Sequence, residues 1–277
     1  MKILITGISG FLGRNLIAKL SEYELFGLDI HEEIVQGVTV FSSNTLEDLN
    51  LDIDIVIVCH AAVASGTTVL SNTLLYDVNV SLTEKIINKF KEAFIIYIST
   101  ASIYDINLEL IQEDSAINPQ SNYAISKFWG ERIISSNKSV IIRLSSLFGV
   151  GMKENTLIPN YINQALQNKV IQVWGKGERV QNYIHVSDVA NFIYLIIQNQ
   201  QKFCGKLLLG VSEHEYSNLQ MAHIIAELTQ SEIQFVNDDH SKSFCYNNNY
   251  TTNLLNWKPD INIKDRVQNY IEWKQKK

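Results

Sequence analysis

Tyr123 and Lys127 stand four residues apart in Tyr-Ala-Ile-Ser-Lys and are the pair best suited to moving a proton. On a helix, positions i and i+4 share a face, so the phenol and the ammonium meet. An unperturbed Tyr ionises near ~10, too high for a useful base at neutral pH. A neighbouring ammonium, and the cationic ring of a bound nicotinamide, both favour the phenolate. The pairing therefore predicts a Tyr123 pKa drawn down into a working range. Five residues by themselves describe an exposed helix pair just as well, so the assignment rests on what else the chain carries.

Two further constellations matter. Thr6-Gly7-Ile8-Ser9-Gly10-Phe11-Leu12-Gly13 places three glycines at three-residue spacing between an apolar run and an amphipathic one. Such a turn needs backbone angles that glycine tolerates, and its missing side chains admit a pyrophosphate. The helix that follows offers N–H groups and the positive end of its dipole. Asp29 falls 22 positions after Gly7, where an acid would bind the hydroxyl pair of a ribose. The other constellation is Tyr97-Ile98-Ser99-Thr100-Ala101-Ser102-Ile103-Tyr104, an apolar strand running into a hydroxyl-rich loop. Catalytic hydroxyls gather at strand carboxyl ends, although Ser and Thr are also ordinary turn residues.

The elements that must hold these groups alternate. Lys2–Thr6, Glu24–Leu28, Asp54–Cys59, Phe94–Ser99 and Ser139–Leu144 read as buried strands. Phe11–Leu20, Val80–Phe90 and Asn122–Ser135 read as helices between them. Fully apolar strands alternating with helices predict an α/β fold, a Rossmann-type doubly wound parallel sheet with its ligand beyond the strand carboxyl ends. The texture changes after Gly149. Residues 1–150 form the expected dinucleotide-binding domain, and 151–277 a smaller C-terminal substrate domain. Part of 180–212, with the apolar helix Ser187–Gln198 and the run Leu207–Gly210, is expected to return to the first domain.

Composition narrows the function. The 277 residues are 46% hydrophobic and 19% charged, enough apolar matter for a sizeable core. Lys and Arg number 23 against 29 Asp and Glu, a net charge of −6, which argues against nucleic acid and anionic membrane as partners. No apolar run approaches the ~20 residues of a membrane span, and no signal peptide is evident at the start. The three widely spaced cysteines read as reduced thiols of a cytoplasmic protein. The six histidines show no metal spacing, so no metal is expected; His60, His185, Trp257 and Trp273 read as structural.

The series is longer than these three motifs. It includes His60-Ala61-Ala62, Asn79, Pro119 and Ser121 ahead of Tyr123 and Lys127, and Arg143, Ser146, Phe148 and Gly149. It continues with Gly175 and Gly177, with Tyr183-Ile184-His185-Val186 and Asp188, and with Asn253-Leu-Leu-Asn-Trp-Lys-Pro259. In this order the motifs resemble the extended short-chain dehydrogenase/reductases, the NAD-dependent sugar-nucleotide epimerase/dehydratase group, over nearly the whole chain. The resemblance implies Tyr123 as general acid/base, Lys127 as its tuning partner and holder of the nicotinamide ribose, and Thr100 as the hydroxyl on the reacting oxygen, with Ser99 the fallback. It implies NAD, with NADP the alternative, against Gly7, Ser9, Gly10, Phe11, Leu12, Gly13, Asp29, Ala61, Ala62, Asn79, Ser99, Tyr123 and Lys127. It implies a nucleotide sugar as substrate, against Ser102, Arg179 and Gln181, and a homodimer built on the Asn122–Ser135 and Val80–Phe90 helices.

The departures from the family pattern are specific. The family's dehydratases carry Asp-Glu directly after the catalytic Thr; here Ala101-Ser102 stand there, which argues against a 4,6-dehydratase. Gln181-Asn182 replace the family's Arg-Asp, and Arg179 is the nearby cation left to meet a diphosphate. Ser42 or Ser43 replaces the Asp that in relatives meets the adenine. The implied activity is reduction at carbon 4 of a nucleotide-activated sugar, a 4-ketoreductase. The alternatives are a 4-epimerase that retains NAD and, more distantly, a non-catalytic dinucleotide-binding sensor.

Overall fold

The computed structural model describes residues 1–63, 69–134, 138–259 and 262–276. The strands are β1 (Lys2–Thr6), β2 (Glu24–Asp29), β3 (Glu33–Val35), β4 (Val38–Ser42), β5 (Ile55–Val58), β6 (Phe94–Thr100), β7 (Ser139–Leu144), β8 (Ser146–Phe148), β9 (Val170–Trp174), β10 (Val180–His185), β11 (Lys206–Gly210), β12 (Glu215–Ser217) and β13 (Glu232–Val236). The helices are α1 (Phe11–Lys19), α2 (Asn72–Tyr76), α3 (Leu82–Lys89), α4 (Asn122–Ile134), α5 (Leu157–Asn168), α6 (Val186–Gln198), α7 (Gln200–Phe203), α8 (Asn218–Thr229), α9 (Asn249–Leu255) and α10 (Ile263–Gln275).

Eight strands form one sheet in the order β11-β7-β6-β5-β1-β2-β4-β3. All neighbours are parallel except the β3–β4 edge hairpin. Alternation along each strand builds two cores. Ile3, Ile5, Ile55, Ile57, Ile96 and Ile98 point to the layer of α1 and α6. Leu4, Val56, Val58, Ile95 and Tyr97 point to the layer that includes Ile86, Ile87 and Ile134 of α3 and α4. Burial on both faces is why these runs lack the polar alternation of an exposed sheet. The strand order reverses between β1 and β5, and the carboxyl ends diverge there to leave a crevice.

A third core lies among α5, α8, α10 and the two-stranded β9–β13 pair, centred on Ile162, Val173, Met221, Ile225 and Val267. Residues between the lobes join the larger sheet: β11 pairs in parallel with β7, and α6 packs along α1. The expected Val80–Phe90 helix is the end of a longer helical segment from Asn72 to Lys89, with a π-helical turn at Asp77–Ser81. Helix α4 is described to Ile134; Ser135, where the expected helix ends, lies outside the described residues. Cys59, Cys204 and Cys245 are all free thiols. Among the described residues no helix is long and apolar enough to cross a membrane, and no group of three His, Cys, Asp or Glu side chains is placed to hold a metal.

Trp257 ties the chain's return to the first core. It is buried and stacks on Phe192 of α6, ring centroids 5.0 Å apart. Trp257→Ala is expected to lower stability by about 3–5 kcal/mol, the cost of emptying a large aromatic site. Urea unfolding of the variant beside the parent checks this.

Candidate active site

The crevice at the sheet reversal is a cavity of about 780 Å³. Its walls come from the ends of β1 (Thr6, Gly7), β2 (Leu28, Asp29), β5 (Cys59, His60, Ala61) and β6 (Ile98, Ser99, Thr100), and from Tyr123 and Lys127 of α4. The glycine turn forms one side. Gly7 sits at φ 67°, and a Cβ there would come within 2.8 Å of His60 backbone atoms, so only glycine fits. Gly10 caps α1 without a side chain in the way, and no acidic residue occupies the first turn. The helix N-terminus therefore keeps its N–H groups and dipole for an anion.

Gly13 does not line this cavity. A Cβ on it would lie 2.5 Å from Gly7 O and Ile8 Cα, so its role is close packing of α1 against the turn. Ala62 and Asn79 also stand behind the wall. Asn79 is fully buried; its Oδ1 accepts from Ala62 N–H at 2.7 Å, and its Nδ2 donates to Ala62 O and to Ser126 Oγ. The carbonyl and both N–H groups of that amide pin the loop after β5 to α4. Asp29 does face the cavity. Its Oδ2 accepts from Ser9 N–H at 3.0 Å and its Oδ1 from Ile30 N–H. Ser43 completes the wall near it, and Ser42 turns inward to cap the following turn.

At the other end, the Thr100 side chain lies beside the Tyr123 phenol, and Thr100 Oγ1 donates to Ser102 Oγ at 3.1 Å. Thr100 Oγ1 also accepts from Ser102 N–H. Burial pushes the Tyr123 phenol up to about 12, with the Thr100 hydrogen bond opposing. The sequence predicts the reverse, a phenol drawn down by Lys127. That effect is missing because Lys127 is itself 2% exposed, and burial brings its ammonium down to about 7. Its Nζ rests 4.1 Å from the centre of the Tyr97 ring.

Ser99 is not interchangeable with Thr100. Neighbouring strand residues face opposite ways, and Ser99 Oγ donates to Glu131 Oε1 at 2.6 Å under α4. His60 is buried between Thr6 and Thr83, hydrogen-bonded through both ring nitrogens, and desolvation lowers it to about 3. It is a neutral structural imidazole. His185 caps α6, its Nδ1 accepting from Ser187 N–H.

A second cavity of about 300 Å³ adjoins the first. Thr100, Leu144 and Ser145 belong to both walls. Ser102, Arg179 and Gln181 all line it, with Gln120, Asn182, Phe244 and Tyr246. Arg179 is half-buried and its Nε donates to Lys242 O. Gln181 Nε2 donates to Asn218 Oδ1, which holds that amide against the N-terminus of α8. Sequence reasoning missed Lys153 and Thr156, which face the larger cavity ahead of α5; Lys153 Nζ reaches across to Val63 O at 3.2 Å. A cation just before an apolar helix carries no signal of its own. It also missed Phe244 and Tyr246, which sit in a polar stretch with no motif.

The chain is similar to known proteins over most of its length. It is 25% identical over 245 residues to the GDP-6-deoxy-D-talose 4-dehydrogenase of Aggregatibacter actinomycetemcomitans, covering 84% of this chain and 82% of that protein. It is 25% identical to a putative UDP-glucose 4-epimerase of Methanocaldococcus jannaschii, covering 98% and 97%. Among solved structures, MoeE5 in complex with UDP-glucose and NAD superposes with a TM-score of 0.87 at 19% identity, over 100% of this chain and 99% of that one. The UDP-glucuronic acid 4-epimerase of Bacillus cereus in complex with NAD gives 0.87 at 20%, with the same coverage. These structural likenesses establish the fold: a Rossmann-like α/β architecture. The family model for NAD dependent epimerases and dehydratases matches residues 3–207, which span the glycine turn, Asp29, Thr100, Tyr123 and Lys127, and the chain belongs to that family.

Proposed function

We propose that this enzyme reduces the 4-keto group of a nucleotide-activated sugar. The observation that carries the reading is the place of Thr100: it forms part of both cavities, and it shares the larger one with Tyr123. A sugar oxygen brought to Thr100 from the smaller cavity meets a proton source at the boundary with the larger one.

The larger cavity fits a dinucleotide. The open N-terminus of α1 with Ser9, Gly10, Phe11 and Leu12 suits its pyrophosphate, the Asp29 carboxylate a ribose diol, and Tyr123 with Lys127 the nicotinamide end. When bound, NAD(H) supplies or accepts the hydride. Tyr123 holds the proton for the sugar oxygen, with the Thr100 hydroxyl beside it to meet that oxygen. Burial keeps Tyr123 protonated across the neutral range. A relative described as a 4-dehydrogenase supports reaction at carbon 4. The acid-base pair that a dehydratase would need after Thr100 is replaced by buried Ala101 and by Ser102.

Epimerisation uses the same residues and is the second reading, supported by the relative described as a putative UDP-glucose 4-epimerase. An epimerase retains its dinucleotide, so the small molecules released on denaturing the purified protein separate the two. The free thiols support a cytoplasmic setting. A homodimer is supported by the exposed apolar face of α2 and α4, where Tyr76 and Trp129 pack edge to face beside Ile125. Light scattering showing a monomer at micromolar concentration would remove that assignment.

Three outcomes test the site. Tyr123→Phe should bind dinucleotide normally and lose ~10²–10⁴ in kcat; unimpaired turnover in the folded variant removes Tyr123 from the role. Asp29 presents a carboxylate where NADP carries a phosphate, so calorimetry should find NAD(H) bound more tightly than NADP(H), and Asp29→Ala should narrow the gap. Arg179 is the charged side chain of the smaller cavity's wall and takes the place of the missing family Arg. Arg179→Ala should raise KM for the nucleotide sugar while leaving NAD(H) affinity unchanged; equal KM would detach the diphosphate from this residue.

A further inference from the structure

Tyr123, Lys127 and Glu131 follow one another at four-residue intervals, so one stripe of α4 presents a phenol, an ammonium and a carboxylate to the sheet. Glu131 is 3% exposed and fully engaged. Its two oxygens take a bidentate pair from Arg143, Nε at 2.9 Å and Nη2 at 2.7 Å, and Oε1 also accepts from Ser99 Oγ at 2.6 Å. Ser99 and Arg143 are register partners on β6 and β7, one step before the Thr100–Leu144 pair. The carboxylate therefore clamps α4 across two strands, directly beside the catalytic threonine. Arg143 is itself buried and lies over the Tyr104 ring, 4.6 Å from its centre.

The groups around Lys127 are few. The Tyr97 ring faces it from β6. Cys59, after β5, stays a neutral thiol because burial raises it to about 12, and His60 beside it is neutral. Tyr123 lies one turn before it on α4 and is held protonated. Asp29 acts on His60 from the end of β2, and Arg143 stands on β7 beyond Glu131. Glu131, one turn after Lys127, is the carboxylate that favours the ammonium.

We propose that Glu131 is a positioning residue for the reaction: anchored to Ser99 and Arg143, it sets the height of Tyr123 against Thr100 and holds Lys127 as a cation for the cofactor. The proposal rests on Lys127 binding dinucleotide through its ammonium. The sign follows from that role: affinity is full below the Lys127 pKa, near 7, and falls as pH rises through it. Removing the Glu131 charge leaves the Arg143 cation uncompensated, which disfavours a second cation nearby and moves that fall to lower pH.

The test is NADH binding by fluorescence titration from about pH 5 to 9, with kcat and KM measured alongside. The parent protein should show the fall, and Lys127→Met should abolish it. Glu131→Gln should move the midpoint down by about one pH unit, a tenfold loss of affinity above it. It should also lower kcat with KM for the sugar nucleotide little changed. A purely structural role for Glu131 predicts a lower melting temperature with midpoint and kcat unmoved, and that result in the folded variant overturns the proposal. If Glu131→Gln does not fold, the double variant Glu131→Gln/Arg143→Gln, which strands no buried cation, carries the test. It should show a smaller shift of the same sign, and an unchanged midpoint overturns the proposal. A parent profile identical to that of Lys127→Met overturns both the proposal and the assigned role of Lys127.

Discussion

Burying an ammonium is the demand around which this fold is arranged. Lys127 must leave water to stand at the floor of the larger cavity, and an ion taken out of water loses several kcal/mol of solvation. The structure answers with a π-face from Tyr97, a neighbouring carboxylate, and an outlook onto the cavity. The carboxylate raises the same difficulty in turn, and Arg143 resolves it with two short hydrogen bonds and a ring beneath its own guanidinium. One displaced charge thus requires a second and a third. That dependence explains a polar stripe on a helix whose position beside the sheet would ordinarily select for leucine.

The glycine turn shows the opposite economy. Its job is to keep side chains out, so that α1 begins with its dipole and N–H groups unobstructed. Gly7 supplies the backbone angle, and Gly13 lets α1 lie against the turn at a distance no Cβ permits. Asp29 joins the two halves of the site, because the carboxylate that faces the cavity also accepts from Ser9 in the turn. Backbone approach, helix end and acid are therefore one unit. That is why their spacing in sequence was informative together and weak singly.

The sheet was legible because its strands are buried on both faces and read as unbroken apolar runs. The β3–β4 hairpin was not: it is a short exposed edge, and its turn places Gln36 at positive φ before Gly37, without the Asn-Gly signal of such turns. The short strands β8, β10 and β12 were missed because β10 begins with Val180-Gln181-Asn182, too polar to announce itself. Tyr123, Lys127 and Thr100 were found from spacing and from the ordered motifs. Their protonation was not, since the expected Tyr123–Lys127 effect depends on exposure, and burial of both groups reversed it. Asn79 shows a related limit. A motif marks that a residue matters, and the structure shows it mattering through Ala62 and Ser126 behind the wall.

What distinguishes this chain within its fold lies beyond the strand ends. The cofactor half is dictated by a backbone shape, which many sequences satisfy in the same way. The smaller cavity is lined by side chains of β10 and of the segment that carries Phe244 and Tyr246, where no periodicity constrains the choice. There Arg179 and Gln181 line the smaller cavity together with Phe244 and Tyr246. The half-buried Arg179 is tethered by Lys242 O, so its position depends on the same segment that supplies those rings. Charge and shape in the smaller cavity are coupled through one loop, so a change in either draws the other with it.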